Sequence, residues 1–157
     1  MRRGAAIILA GALLVAAGCG SDREAETPAA CLSPASTFLD ALEAAPEDVR
    51  LEGSTPISDC LVPGQDGGPL ATTGQAMVEA ANNLNRDVRR SFQREEMIEL
   101  GYLIGAVQRG AAETEGIHED LVRRLDAAAR YAGDDEVFPA SFERAFGAGY
   151  AAGLERG

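Results

Sequence analysis

The sequence lacks tryptophan and lysine altogether, and it contains only one histidine and three cysteines among its 157 residues. A single histidine excludes metal sites built from several histidines, and no two cysteines have the Cys-x-x-Cys spacing of zinc or redox motifs. No serine stands in a Gly-x-Ser-x-Gly turn, and no glycine-rich segment carries the lysine of a phosphate-binding loop. These absences lead us to predict a protein without cofactor or metal.

The charge is strongly acidic: 25 acidic residues stand against 14 basic residues, and the net charge is −11. Nucleic acids and anionic lipid surfaces attract proteins with a surplus of basic residues, so neither is an expected partner. Abundant alanine and few β-branched residues favour helices over strands. The length is sufficient for one domain with a single hydrophobic core.

The first nineteen residues have the order of a bacterial export signal. Arg2 and Arg3 provide the positive start, and residues 5–17 contain no charged or polar side chain. The small residues Ala16, Ala17 and Gly18 follow, directly before Cys19. This apolar stretch is too short for a membrane span, which needs about 20 residues, so it fits a cleaved signal peptide.

The segment resembles the lipobox of bacterial lipoproteins, with Ala16 at the position where an aliphatic residue is usual. The resemblance implies export, cleavage after Gly18 and a diacylglyceryl lipid on Cys19. That lipid would hold the protein at the outer face of a bacterial membrane. The alternative is an ordinary signal peptide, in which Cys19 has no special role.

The rest of the chain divides into a tether and one domain. Removing the signal peptide (residues 1–18) changes the net charge from −11 to −13, because Arg2 and Arg3 are lost with it. Residues 19–30 are small or charged and predict a flexible tether. We expect residues 31–157 to form a single helical domain.

Two cysteines, Cys31 and Cys60, remain beyond the proposed lipidation site. Disulfides persist in exported proteins, so we predict a Cys31–Cys60 bond that closes a loop of about 30 residues and contributes roughly 3–4 kcal/mol. The alternative is a thiol pair that binds a metal or does redox work. No histidine lies near either cysteine in sequence, which favours the structural bond.

Apolar residues recur every three or four positions in the second half of the chain, which predicts amphipathic helices. These stripes cover residues 77–92, 97–107, 117–128 and 138–150. Ser33 and Pro34 predict an earlier helix that ends before Pro46, whereas four glycines and two prolines within residues 62–74 predict a loop. We expect an all-α fold, with about four helices packed like a small bundle from Thr72 onward and a disulfide-stapled N-terminal segment.

Glycines four residues apart occur twice, at Gly101 and Gly105 and again at Gly149 and Gly153, each pair enclosing a tyrosine. A glycine inside a helix costs about 1 kcal/mol relative to alanine, and close helix–helix approach is the commonest compensation. We therefore predict that the two helices cross at these glycines. The alternative is chance in a chain with 18 glycines.

Four arginines form the strongest local departure from the acidic composition. Arg86, Arg90 and Arg94 recur at every fourth position, with Arg89 beside them. Like charges on one helix face repel each other, so we expect carboxylates from neighbouring helices to pair with them. The alternative is an anion-binding site for a cell-wall polymer, a lipid headgroup or an acidic partner segment.

The only histidine, His118, precedes Glu119 near a predicted helix start, where we expect it to be partly exposed. It could instead act as a metal ligand or as an acid or base, with Glu119 or with the acidic turn at residues 134–136. The adjacent Glu95 and Glu96 do not face each other on a helix, and we interpret them as surface charge.

The sequence thus favours a non-catalytic, lipid-anchored module that binds an envelope protein, a polymer or a small ligand. The first alternative is a small-molecule carrier with a pocket between the glycine-faced helices. The second is an envelope enzyme that uses His118 and carboxylates.

Overall fold

The computed structural model describes residues 26–91, 93–130 and 140–157. Within them the predicted all-α fold is confirmed, because the structure is 72% helical and has five helices and no strand. The helices are α1 (Ala35–Leu42), α2 (Gly67–Ser91), α3 (Arg94–Ala112), α4 (Glu119–Ala129) and α5 (Ala140–Arg156), and two short 3-10 helices cover Ala29–Leu32 and Ile57–Cys60. The predicted signal, Cys19, Phe92 and the acidic turn at residues 134–136 lie outside the described residues.

Helix α3 is the centre of the fold. Every residue from Gly101 to Val107 is buried, so this helix is covered on all sides rather than along one stripe. Helices α2, α4 and α5 and the 3-10 helix Ile57–Cys60 all pack against it. None of the helices in the described ranges combines the length and the apolar character that crossing a membrane requires.

The contact between α3 and α5 is the most extensive helix–helix contact in the described chain. It contains the glycine pairs that the sequence singled out. A Cβ atom on Gly101 or Gly105 would overlap the backbone of Phe146 or Tyr150. A Cβ atom on Gly149 or Gly153 would likewise overlap the backbone of α3, so the structure brings all four glycines together in one crossing.

Replacing Gly149 with alanine should therefore lower the free energy of unfolding by about 2 kcal/mol or more. The new Cβ atom would lie well inside 3.0 Å of the Ile98 carbonyl oxygen, and a helical backbone cannot move aside cheaply. Gly147 on the same helix is the matched control, since its Cβ atom would meet nothing within 4 Å. There the higher helix propensity of alanine should stabilise the protein by up to about 1 kcal/mol. Urea unfolding of both variants measures the difference, and equal stabilities would contradict the crossing.

The disulfide prediction is confirmed. Cys31 and Cys60 are bonded, with their Cα atoms 5.3 Å apart, and both residues are fully buried. The bond joins the first 3-10 helix to the second, and the second packs on α3. Thr73 adds a link to α2, because its hydroxyl donates a hydrogen bond to the Cys31 carbonyl oxygen at 3.1 Å.

The structure corrects three predicted boundaries. Ordered packing begins before residue 31, since Ala30 in the 3-10 helix Ala29–Leu32 is only 6% exposed. Helix α1 starts at Ala35, one residue after Pro34. The loop predicted for residues 62–74 is wrong beyond Asp66, because α2 starts at Gly67. Tertiary contacts outweigh the low helix propensity there, because Gly74 is buried and faces Leu121 of α4.

Candidate functional site

His118 lies at the N-terminal end of α4 and is fully buried, so the prediction of a partly exposed residue is wrong. Its Nε2 atom is 2.6 Å from Gln65 Oε1. The Gln65 amide nitrogen donates hydrogen bonds to the Cys60 carbonyl oxygen at 3.1 Å and to the Thr27 hydroxyl oxygen at 2.8 Å. Because a carbonyl oxygen only accepts, this fixes the amide orientation, and His118 Nε2 must carry a proton to donate to Gln65 Oε1.

The second ring nitrogen of His118 is also occupied. Nδ1 lies 2.8 Å from the Thr114 hydroxyl oxygen, which is in turn 2.7 Å from the Ala111 carbonyl oxygen. The Thr114 hydroxyl has a single proton and donates it to the Ala111 carbonyl oxygen, and burial lowers the pKa of His118. Both ring nitrogens therefore serve a buried hydrogen-bond network that joins Thr27, the 3-10 helix Ile57–Cys60 and the turn between α3 and α4. Neither nitrogen hydrogen-bonds to a carboxylate of the described chain.

The arginine row does not form one continuous face. Helix α2 ends at Ser91 and α3 starts at Arg94, so only Arg86 and Arg90 share a helix face at the predicted spacing. All three arginines, Arg86, Arg90 and Arg94, are exposed. The Arg86 guanidinium donates a hydrogen bond to the side-chain oxygen of Asn83 at 2.7 Å. Within the described residues, no carboxylate lies within 4.0 Å of these three arginines, so the expected pairing with neighbouring helices stays a prediction. The C-terminal end of α2 still favours Arg89 and Arg90, because the helix dipole is negative there.

Carboxylates gather where the end of α1 meets the first turns of α3. The pKa of Glu99 is raised to about 7, first by burial and then by the charges of Glu96, Glu43 and Glu95. One carboxylate oxygen of Glu96 is buried without a hydrogen-bond partner in the described chain. Glu95 is exposed and fits the interpretation as surface charge, whereas Glu96 is partly buried and fits it less well. No group of three or more acidic, histidine or cysteine side chains in the described chain is arranged to hold a metal ion.

The raised pKa of Glu99 predicts a specific pH dependence of stability. In the folded state the pKa of Glu99 is above its ordinary value of 4.5. Its contribution to the free energy of unfolding is therefore fully present below about pH 4.5 and is lost as the pH rises through about 7. Glu99→Gln should therefore be more stable than the wild type at pH 8, and this advantage should shrink towards pH 5. Urea unfolding at several pH values measures the difference between the two proteins.

The lowered pKa of His118 has the opposite effect, because it reduces stability as the pH falls below 6.5. Both the wild type and Glu99→Gln contain His118, so this effect cancels in the difference between them. The exposed Glu113, at the C-terminal end of α3, is a suitable control. Glu113→Gln removes one negative charge while leaving the carboxylates around Glu99 in place. An advantage of Glu99→Gln that stays constant from pH 5 to pH 8 would contradict the assignment.

An open pocket of about 230 Å³ lies where α2, α3, α4 and α5 meet. Its described lining is mainly apolar and consists of Asn85, Val88, Met97, Leu100, Ala129, Glu143 and Phe146. Val88, Met97 and Leu100 are at most 8% exposed, so the pocket wall belongs to the hydrophobic core. The Asn85 amide nitrogen donates a hydrogen bond to the Ala128 carbonyl oxygen at 2.6 Å, which holds α4 beside the pocket.

The pocket differs in position from the one predicted between the glycine-faced helices. Backbone contact at Gly101, Gly105, Gly149 and Gly153 leaves no space for a ligand there. The observed pocket lies beside this crossing, and neither Tyr102 nor Tyr150 lines it. Tyr102 is fully buried, and burial raises its pKa, whereas the Tyr150 hydroxyl donates to Gln108 Oε1 at 2.5 Å.

Two other clefts are more polar. A cleft of about 470 Å³ between α1 and α2 is lined largely by hydroxyl, amide and carboxylate side chains, including Ser36, Gln75 and Glu79. A cleft of about 300 Å³ beside the 3-10 helix Ile57–Cys60 contains both Arg109 and Glu113. Ligand sites are usually mainly apolar with a few polar groups, and the pocket of about 230 Å³ fits that description best.

Sequence reasoning identified part of this pocket without recognising it as one. Val88, Met97, Leu100 and Phe146 lie on the apolar stripes that predicted the helices. Asn85, Ala129 and Glu143 carried no signal, because only the packing of four helices brings them to the same place. No protein-family model, curated protein or solved structure matches this chain.

Proposed function

We propose that this protein is a lipid-anchored, extracytoplasmic protein that binds a small ligand without transforming it. The observation that carries the binding role is the open pocket of about 230 Å³, whose wall is made of core side chains. Apolar side chains facing open space lose favourable contacts, and a ligand that fills the space restores them. A carrier or sensor at the outer face of a membrane is the role that best fits such a pocket.

Two features support the proposed location. The lipobox-like segment places a cysteine directly after small residues at the end of an apolar stretch. The Cys31–Cys60 bond fits the same location, because disulfides persist in oxidising compartments outside the cytoplasm. The proposed anchor at Cys19 precedes the bonded Cys31 by only twelve residues, so the lipid would be attached close in sequence to the disulfide.

The non-catalytic part of the proposal depends on the state of the titratable groups. His118 is fully buried and lines none of the three clefts described above, which supports a non-catalytic role for it. Glu99 has a pKa of about 7, and the charges that raise it are those of the carboxylates Glu96, Glu43 and Glu95. The described lining of the pocket contains one carboxylate, that of Glu143, and no residue that could serve as its acid or base partner.

The anchor can be tested by mass spectrometry of the protein extracted from the membranes of producing cells. We expect a chain of residues 19–157 carrying a diacylglyceryl group on Cys19. Cys19→Ser should instead retain residues 1–18, because the lipidated cysteine is the substrate for cleavage in lipoproteins. A wild-type chain that has lost its signal but carries no lipid would identify an ordinary signal peptide and remove the anchor from the proposal.

The pocket can be tested with 2-phenylethanol, a neutral molecule with one aromatic ring. We expect a dissociation constant of about 1 mM, which corresponds to roughly −4 kcal/mol and suits a small apolar pocket. Ala129→Leu should abolish binding, because Ala129 lines the pocket and the larger side chain fills it. Ala127→Leu is the matched control on an exposed position of the same helix and should bind like the wild type.

Binding is read from the methyl NMR signal of Met97, which lines the pocket, against that of the buried Met77, which does not. The protein is used as cells process it, in nanodiscs of zwitterionic lipid. Melting temperatures of Ala129→Leu and Ala127→Leu show whether each variant is folded. If 2-phenylethanol shifts the Met97 signal equally in wild type and Ala129→Leu, the pocket is not the binding site.

A further inference from the structure

The polar groups at the apolar pocket are of one kind, hydrogen-bond acceptors. The Asn85 amide nitrogen already donates to the Ala128 carbonyl oxygen at 2.6 Å, whereas no donor of the described chain reaches Asn85 Oδ1. Glu143 contributes a carboxylate and forms no ion pair with a described residue. A carboxylate and an amide oxygen at the mouth of an apolar pocket select a ligand that brings its own donors.

The charge of the lining indicates the charge of the ligand. Glu143 is the only charged residue in the described lining of the pocket. A ligand carboxylate or phosphate would be repelled by it, and an ammonium group would form a charge-assisted hydrogen bond with it. The acidic character of the whole chain, with a net charge of −11, adds a long-range attraction for cations. Arg89 lies one helical turn beyond Asn85 on α2 and is not among the described lining residues of the pocket.

The volume limits the apolar part of the ligand. An apolar cavity of about 150 Å³ is sufficient for a benzene ring. The pocket of about 230 Å³ therefore accommodates one ring, or a branched alkyl group of similar size, together with a short chain. Met97 adds adaptability to the wall, because its unbranched side chain can adjust to ligands of different shape.

We propose that the pocket at α2, α3, α4 and α5 binds a primary amine carried on a compact apolar body of about one ring. The apolar body lies against Val88, Met97, Leu100 and Phe146, and the ammonium group donates hydrogen bonds to Glu143 and Asn85. This inference rests on the proposed ligand-binding function and adds the chemical class of the ligand.

Three probes with closely similar apolar bodies test the proposal: phenethylammonium, 2-phenylethanol and 3-phenylpropanoate. Each is titrated at pH 7 into the processed protein in nanodiscs of zwitterionic lipid, and the Met97 methyl signal reports binding. We expect the amine to bind about fivefold more tightly than the alcohol, which is typical of an exposed ion pair, and the carboxylate to bind most weakly. The preference for the amine should shrink in high salt, because salt screens exposed charges.

Glu143→Gln provides the decisive comparison. It should bring the affinity for the amine down to that of the alcohol while leaving the affinity for the alcohol unchanged, because the glutamine keeps the shape and loses the charge. Glu155→Gln is the matched control, an exposed position on α5 about 18 Å farther along the helix. It should leave all three affinities unchanged, which separates the local carboxylate from the net charge of the protein.

The outcomes separate this inference from the function on which it rests. Equal affinities for the amine and the alcohol in the wild type would overturn the amine preference and leave the apolar pocket in place. The amine preference would also be overturned if Glu143→Gln left all affinities unchanged, or if 3-phenylpropanoate bound most tightly, which would direct attention to the α2 arginines. Failure of all three probes to shift the Met97 signal would overturn the proposed ligand binding itself.

Discussion

Helices α3 and α5 approach so closely that backbone atoms of one helix occupy the space that a side chain would fill on the other. Each glycine in a helix costs about 1 kcal/mol relative to alanine, and the dispersion contacts between the two backbones offset this cost. The crossing also sets the position of the pocket, since Met97 and Leu100 belong to α3 and Phe146 belongs to α5. A shift between the two helices would move opposite walls of the pocket relative to each other.

The N-terminal part of the domain is held by a second set of constraints. Apolar side chains such as Phe38, Leu42 and Ile57 are fully buried in the core, and the Cys31–Cys60 bond restricts the unfolded states of this part. The buried network of His118, Gln65 and Thr27 then connects the start of the described chain to the turn between α3 and α4. With a lipid on Cys19, as we propose, a pull from the membrane would reach the domain where these covalent and hydrogen-bonded links are concentrated.

Charge is distributed unevenly over the molecule. Carboxylates cluster at the start of α3, and their mutual repulsion together with burial raises the pKa of Glu99 to about 7. Arg86 and Arg90 remain exposed at the far end of α2, where the helix dipole favours them. The pocket has Glu143 as its only described charged lining residue. For the ligand that we propose, the acidic balance would add a long-range attraction.

The sequence by itself determined the helical class, the disulfide and the glycine crossing. Apolar periodicity and glycine spacing are local properties of the chain, and only two cysteines remained to pair once Cys19 was set aside as the proposed lipidation site. Only the tertiary structure decided the burial of His118, which depends on Gln65, 53 residues away in sequence. The same holds for the start of α2 at Gly67, the proton affinity of Glu99 and the walls of the pocket. Each of these depends on desolvation or on contact between groups from different helices, and in these cases the local pattern of residues does not encode the partner.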